Sequence, residues 1–462
     1  MASARRSFTW EMPHMRLPVL LILLSPLLAC ADDWPQYLGP KRDGIWREPG
    51  ILEKFPPGGP KELWRKPCGM GYAGPAVAQG KVFVPDRVLN EGAKNPDNPF
   101  GRVGVSGTDR LLCLDEKTGE QLWKFEHKVE YRVMYAAGTR CTPTVDGDLT
   151  FWLDTMGDLF ALETKTGKLV WKKNYRADFE ADLPVWGFAS HPLVDGDRLI
   201  CLVGGSENRG VIAFDKKTGE ILWKALTISG DPGYNSPVIF DVNGKRVLIV
   251  WHTHAVCGLD PETGKKLWQY DWEISNALTA PTARLANKSL LFLSGFYNGS
   301  LLLDIGGEKP KVVWKSKSKG NQGDVLPDKT LDLHSIMPTP WIKDDTIYGI
   351  CSYGELRGLE LMTGKRLWAT HAATTGESAR WANAFIIPYQ DGERVFLFNE
   401  KGELIIARLS PKGYEEIDRA KLLEPTNTYA AGRTVVWTHP AFADRTVFVR
   451  NDKEVVAVSL EK

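Results

Sequence analysis

Asp115-Glu116-Lys117-Thr118-Gly119-Glu120-Gln121-Leu122-Trp123 returns as Glu163 to Trp171, Asp215 to Trp223, Asp260 to Trp268 and Glu360 to Trp368. In every copy an acid precedes a tryptophan, with Thr-Gly between them at one offset: Thr118-Gly119, Thr166-Gly167, Thr218-Gly219, Thr263-Gly264 and Thr363-Gly364. A long fixed period is the mark of a repeat architecture. The phrase itself is a tight turn, because its carboxylate and hydroxyl accept local backbone N–H groups and glycine tolerates positive φ. An apolar strand such as Val211-Ile212-Ala213-Phe214 leads into it, and a short strand ending in the indole leads out.

Each unit also opens alike, with a small or polar residue before proline: Gly74-Pro75, Thr142-Pro143, His191-Pro192, Ser236-Pro237, Ala280-Pro281, Thr339-Pro340 and His439-Pro440. A strand, a turn and a second apolar strand follow, so a unit is four antiparallel strands in roughly 40–50 residues, the sequence form of a propeller blade. Trp64, Trp123, Trp171, Trp223, Trp268, Trp314 and Trp368 occupy the blade-locking position, and Tyr414 takes the next place. Blade five, ending in Trp314, is two residues longer between acid and tryptophan, and blade seven lacks the phrase. The final unit has only three strands, whereas Glu62-Leu63-Trp64 has none before it. The two fragments complete one another, which predicts an all-β, eight-bladed β-propeller closed by an N-terminal strand, with seven blades as the alternative. An unclosed ring would leave sheet edges unpaired.

Charge is balanced, with 58 basic and 57 acidic side chains, so there is no footprint for nucleic acid. Residues 1–31 read as a signal peptide: Arg5, Arg6 and Arg16 precede an apolar run from Leu17 to Ala29 that is short for a membrane span. Cleavage after Ala31 would release a soluble protein, whereas Leu27-Leu28-Ala29-Cys30 would leave Cys30 lipidated and provide the only tie to a membrane. Residues 32–60 form a lead segment, and residues 61–462 the propeller. The six later cysteines, Cys68, Cys113, Cys141, Cys201, Cys257 and Cys351, lie mostly in apolar strands, which favours buried thiols.

From Lys61 onward the repeat resembles the quinoprotein (PQQ-type) propeller family, and Asp33 to Gly44 is similar to the start of exported planctomycete-type members. The resemblance implies two branches: scaffolds of the BamB type, and alcohol or glucose dehydrogenases that use PQQ with calcium. The alcohol dehydrogenases carry an adjacent cysteine pair, which this sequence lacks, and no ordered Glu, Asn, Asp set for calcium matches; the glucose branch needs no such pair. The expectation is a non-catalytic, monomeric scaffold of the cell envelope with envelope or secreted proteins as partners and no cofactor. A PQQ-dependent dehydrogenase of alcohols or sugars is the alternative, and a carbohydrate-binding propeller a third reading.

Ring geometry places any ligand site where the loops before each x-Pro converge. Tyr72, Arg140, Trp186, His191, Tyr234, Asn235, Asn276, His334, Trp381, Asn383, Trp437 and His439 share that funnel, an aromatic and amide-rich set suited to a planar ligand or a peptide. Plugging the mouth is the structural reading of the same residues. No catalytic residue and no metal site is expected. His252-Thr253-His254 has no ligand-spaced acid or cysteine beside it, and Asp154, Asp158, Asp241 and Asp344 belong to hairpin turns. Asp86 to Asp109 reads as a long loop leaving blade one, and Ser316 to Ser335 as an irregular link; either could cover the funnel.

Overall fold

The turn phrase performs two tasks at once. Asp115 Oδ1 accepts the Lys117 and Thr118 N–H groups and the Thr118 hydroxyl, holding the carboxyl below the usual carboxylate range, while Gly119 adopts φ +68°. Onto that glycine lies Trp64 of the preceding sheet, its Nε1 donating to the Glu116 carbonyl at 2.8 Å. The pattern then steps round the ring: Trp123 covers Gly167, Trp171 covers Gly219, Trp223 covers Gly264 and Trp314 covers Gly364. Trp268 and Trp368 face blades five and seven, which lack the phrase, and instead lie over Gly258 and Gly358 of their own sheets. The residue before each tryptophan sits at a β-bulge, so Leu63, Leu122, Leu222, Leu267 and Leu367 face solvent.

The structure is a computed structural model, and it describes residues 4–7, 32–317, 330–428 and 432–462. Met1–Ala31 and Asp32–Lys462 separate as two units, and the signal-peptide assignment and Cys30 lie outside the described residues apart from 4–7. The described residues of Asp32–Lys462 form eight four-stranded antiparallel sheets and one small two-stranded ribbon. Blade two shows the plan: Thr144–Asp146, Leu149–Leu153, Asp158–Glu163 and Leu169–Asn174, paired in sequence order. Glu62–Pro67 pairs with Glu454–Ser459, closing the ring as the sequence predicts. Between sheets the core is apolar, and all six cysteines after Cys30 are buried free thiols.

One segment differs from the sequence reading. Asp86 to Asp109 is not one long loop: strands Lys81–Leu89 and Val105–Asp115 extend through it, and only the tip is irregular. The strands are hidden in sequence because ion pairs replace apolar alternation. Arg87 is buried against Asp109 at 2.6 Å and stacks on Tyr131, while Arg110 pairs with Asp86. In the link before blade six, residues 318–329 lie outside the described residues; Thr330 to Ser335 pack on blade five, with the Ser294 and Ser300 hydroxyls donating to the Leu333 carbonyl.

The lead segment is a plug. Trp34 exchanges backbone hydrogen bonds with Val77 of blade one, and the Pro35 carbonyl accepts Val145 N–H of blade two. The buried Arg42 guanidinium donates to the carbonyls of His191, Pro192 and Pro237, at the first strands of blades three and four. Arg284 of blade five donates to the Arg42 carbonyl, and the Tyr37 hydroxyl meets Thr339 at the start of blade six. Trp46 bonds Pro388 and Gln390 of blade seven, and Glu48 accepts Arg445 N–H of blade eight. Contacts to all eight blades seal one end of the channel.

Candidate functional site

Above the plug lies a cavity of about 220 Å³ lined from all eight blades. Tyr72, Arg140, Trp186, His191, Tyr234, Trp381, Trp437 and His439 line it, eight of the twelve funnel residues. Asn276 lines an adjoining outer recess with Asp231, His254 and Arg380. Asn235, His334 and Asn383 do not line the cavity: all three are fully buried behind it. Asn235 Nδ2 donates to the Pro281 carbonyl, and His334 Nε2 lies 3.3 Å from an Asp332 carboxylate oxygen. The sequence reading missed Tyr37, Tyr135, Leu278, Ile336 and Met337 on the wall. Only Tyr37, inside the quoted lead motif, left a signal.

The floor is built by the plug. The Tyr37 ring stacks on His191 with centroids 4.1 Å apart and meets His439 edge-on at 4.8 Å. Burial holds both imidazoles below their ordinary pKa, His439 at about 4, so they are neutral at pH 7. His439 Nε2 lies 2.8 Å from the Thr142 hydroxyl, whereas His191 Nε2 has no hydrogen-bond partner. Arg140 adds no free charge: its guanidinium donates to the carbonyls of Met134, Tyr135, Gly138 and Trp186, and lies over the Tyr72 ring. The tip of the long hairpin reaches the mouth, where Phe100 packs edge-on against Tyr135 and Trp381. Left-handed φ occurs at Tyr135, Asn276, Ala277, Tyr297 and Trp381 around this mouth. Such conformations cost about 1 kcal/mol or more each for non-glycine residues and gather at ligand clamps.

Among the described residues, Glu400 and Asp231 stand beside the cavity, as does Asp452, which accepts Gly71 N–H, and protein donors use the first two fully. Glu400 takes Arg433 on Oε1, and the Asn383 N–H and the Trp437 indole on Oε2. Asp231 takes Gly233 N–H on Oδ1, and Val185 N–H and the Tyr234 hydroxyl on Oδ2. A hard cation needs several oxygens free of such partners. These residues do not fit a calcium-held quinone.

His252 and His254 also resolve. The His252 ring is buried beside Cys257 Sγ at 3.8 Å, while His254, in the turn, bonds Glu273 and the Ser229 carbonyl. Cys257 stands on the strand just after the turn and Glu273 follows the end of the outer strand, yet the two rings serve separate partners.

No helix of the described residues is long and apolar enough to cross a membrane. The outer membrane protein assembly factor BamB of Shewanella oneidensis is 22% identical over 272 residues, covering 58% of this chain and 65% of that protein. Quinohemoprotein alcohol dehydrogenase ADH IIB of Pseudomonas putida is 29% identical over 132 residues, covering 27% of this chain and 18% of that enzyme. The chain thus spans less than two thirds of either relative. The solved quinohemoprotein alcohol dehydrogenase of Comamonas testosteroni superposes with a TM-score of 0.61 at 14% identity, over 93% of this chain and 80% of that one, a likeness of fold. The family model described as outer membrane protein assembly factor BamB matches residues 107–370, and with more than half its length so matched the chain belongs to that family of PQQ-repeat propellers.

Proposed function

We propose that this propeller is a non-catalytic binding scaffold of the cell envelope whose aromatic cavity receives an uncharged, largely apolar segment of a partner protein. One observation carries the reading: the cavity wall is aromatic, and every charged group beside it already has its partners within the protein. Such a surface gains affinity by desolvating rings, with few oriented polar groups for specificity. Burial keeps the two lining imidazoles neutral and weakly basic, and protein donors occupy the Glu400 and Asp231 carboxylates, which favours binding over proton abstraction. Similarity to outer membrane protein assembly factors supports a partner among envelope proteins.

Similarity to quinohemoprotein alcohol dehydrogenases keeps an enzyme reading as the competitor. One experiment separates them. Purified protein given PQQ, Ca2+ and an alcohol or sugar should reduce no dye, while a photo-crosslinker placed at Trp437 should capture a defined envelope protein and lose it when apolar peptide competes. Dye reduction abolished by chelation would overturn the scaffold.

A further inference from the structure

Away from the cavity, His127, Asp154 and Asp158 bring three ligand atoms within 4.8 Å of one another. His127 lies on the outer strand of blade one, Gln121–Tyr131, whereas Asp154 and Asp158 flank the turn between the second and third strands of blade two. His127 Nε2 is 2.8 Å from Asp158 Oδ2 and 3.5 Å from Asp154 Oδ2. Sites with metal–ligand distances of about 2.0–2.1 Å in tetrahedral array have ligand–ligand edges of about 3.3 Å.

The turn role assigned to both aspartates from sequence holds for only half of each carboxylate. Asp154 Oδ1 accepts Met156 N–H at 2.9 Å and Asp158 N–H at 2.7 Å, which fixes the group and aims Oδ2 into the cluster. Asp154 is fully buried, and that Oδ2 has no hydrogen-bond partner. Leaving a buried carboxylate oxygen unmatched is costly, and such atoms mark places where an ion belongs. Asp158 Oδ1 is held by Lys172 Nζ at 2.9 Å and Asn174 Nδ2 at 2.7 Å, turning Oδ2 toward His127. Both ligating oxygens therefore have their carboxylates oriented by an outer layer of donors.

We propose that His127 Nε2, Asp154 Oδ2 and Asp158 Oδ2 form a binding site for a divalent transition cation of the Zn2+ class, stapling blade one to blade two. One imidazole nitrogen with two carboxylate oxygens selects Zn2+ over Mg2+ or Ca2+, which prefer all-oxygen shells. Two carboxylates against one lysine leave net negative charge to attract the ion. His127 is 22% exposed, so solvent supplies the fourth position. The alternative occupant is a proton on His127, giving an ordinary ion-paired triad.

The test uses the full chain, dialysed against chelator and titrated with ZnCl2 or CoCl2. One Zn2+ per chain, a rise in unfolding temperature, and a Co2+ visible spectrum of tetrahedral intensity are expected. Asp154→Asn and His127→Gln should weaken uptake more than tenfold, whereas His254→Gln should not. Should either variant fail to fold, the His127 ring resonances of the wild-type protein must shift on Zn2+ addition. No uptake, uptake unchanged in both variants, or binding that leaves His127 unmoved overturns the site.

Discussion

Alanine at Gly147 and at Gly167, two left-handed turn glycines of blade two, isolates the lock between blades from the strain of the turn itself. Gly147 has φ +57° and nothing within 4 Å of an added Cβ; Gly167 has φ +71°, and its Cβ would lie 2.5 Å from Trp123 Cε3. Both substitutions carry the left-handed penalty of about 1–2 kcal/mol. Gly167→Ala must also move the indole by roughly 1 Å to restore contact distance, an overpacking cost of about 1–3 kcal/mol. The displacement would weaken the Trp123 Nε1 bond to the Thr164 carbonyl, 3.1 Å long, worth about 1 kcal/mol net. Gly147→Ala is thus expected to cost about 1–2 kcal/mol and Gly167→Ala about 3–5 kcal/mol in urea unfolding, with a red-shifted indole emission only in the latter. Equal losses in the two variants would refute the idea that the indole seat on the next blade's turn joins the wedges.

Acid should weaken the fold through its buried histidines. His439 titrates near 4 when folded and ordinarily near 6.5, so stability from its neutral form is full above pH 6.5. About 3 kcal/mol is then lost as pH falls toward 4. His439→Gln should flatten that slope in urea titrations at stepped pH. Arg42→Met removes the donor shared by three buried carbonyls, with an expected loss of roughly 3–5 kcal/mol and increased binding of an apolar dye at the opened channel. Thiol reagent should label none of the six cysteines after Cys30 in the native protein and all six in denaturant, since burial raises thiols such as Cys68 to about 11.

The ring was legible because its unit is local. The Asp115-to-Trp123 phrase carries turn, strand and lock in nine consecutive residues, so repetition exposed fold, blade number and closure together. What escaped was assembled from afar. The lead segment has no period, and its plug function depends on Arg42 meeting carbonyls of two blades. The extended hairpin escaped because Arg87 and Asp109 neutralise each other inside a sheet, a pairing invisible in hydropathy. The loops before each x-Pro named the right neighbourhood, yet left-handed φ at residues such as Trp381, which sequence does not encode plainly, decides which side chains face inward. His127 and Asp154 belong to different repeats, and no spacing rule joins them.

Because strand Glu62–Pro67 finds its partner only in Glu454–Ser459, the ion pair Arg65–Glu454 spans 389 positions. Conversion of the nascent chain to its finished state therefore waits until Glu454–Ser459 has been made. Loop-closure entropy slows such a step, and the waiting edges are sticky meanwhile. Premature termination anywhere upstream of Glu454 should yield chains that aggregate or are degraded, not smaller working propellers.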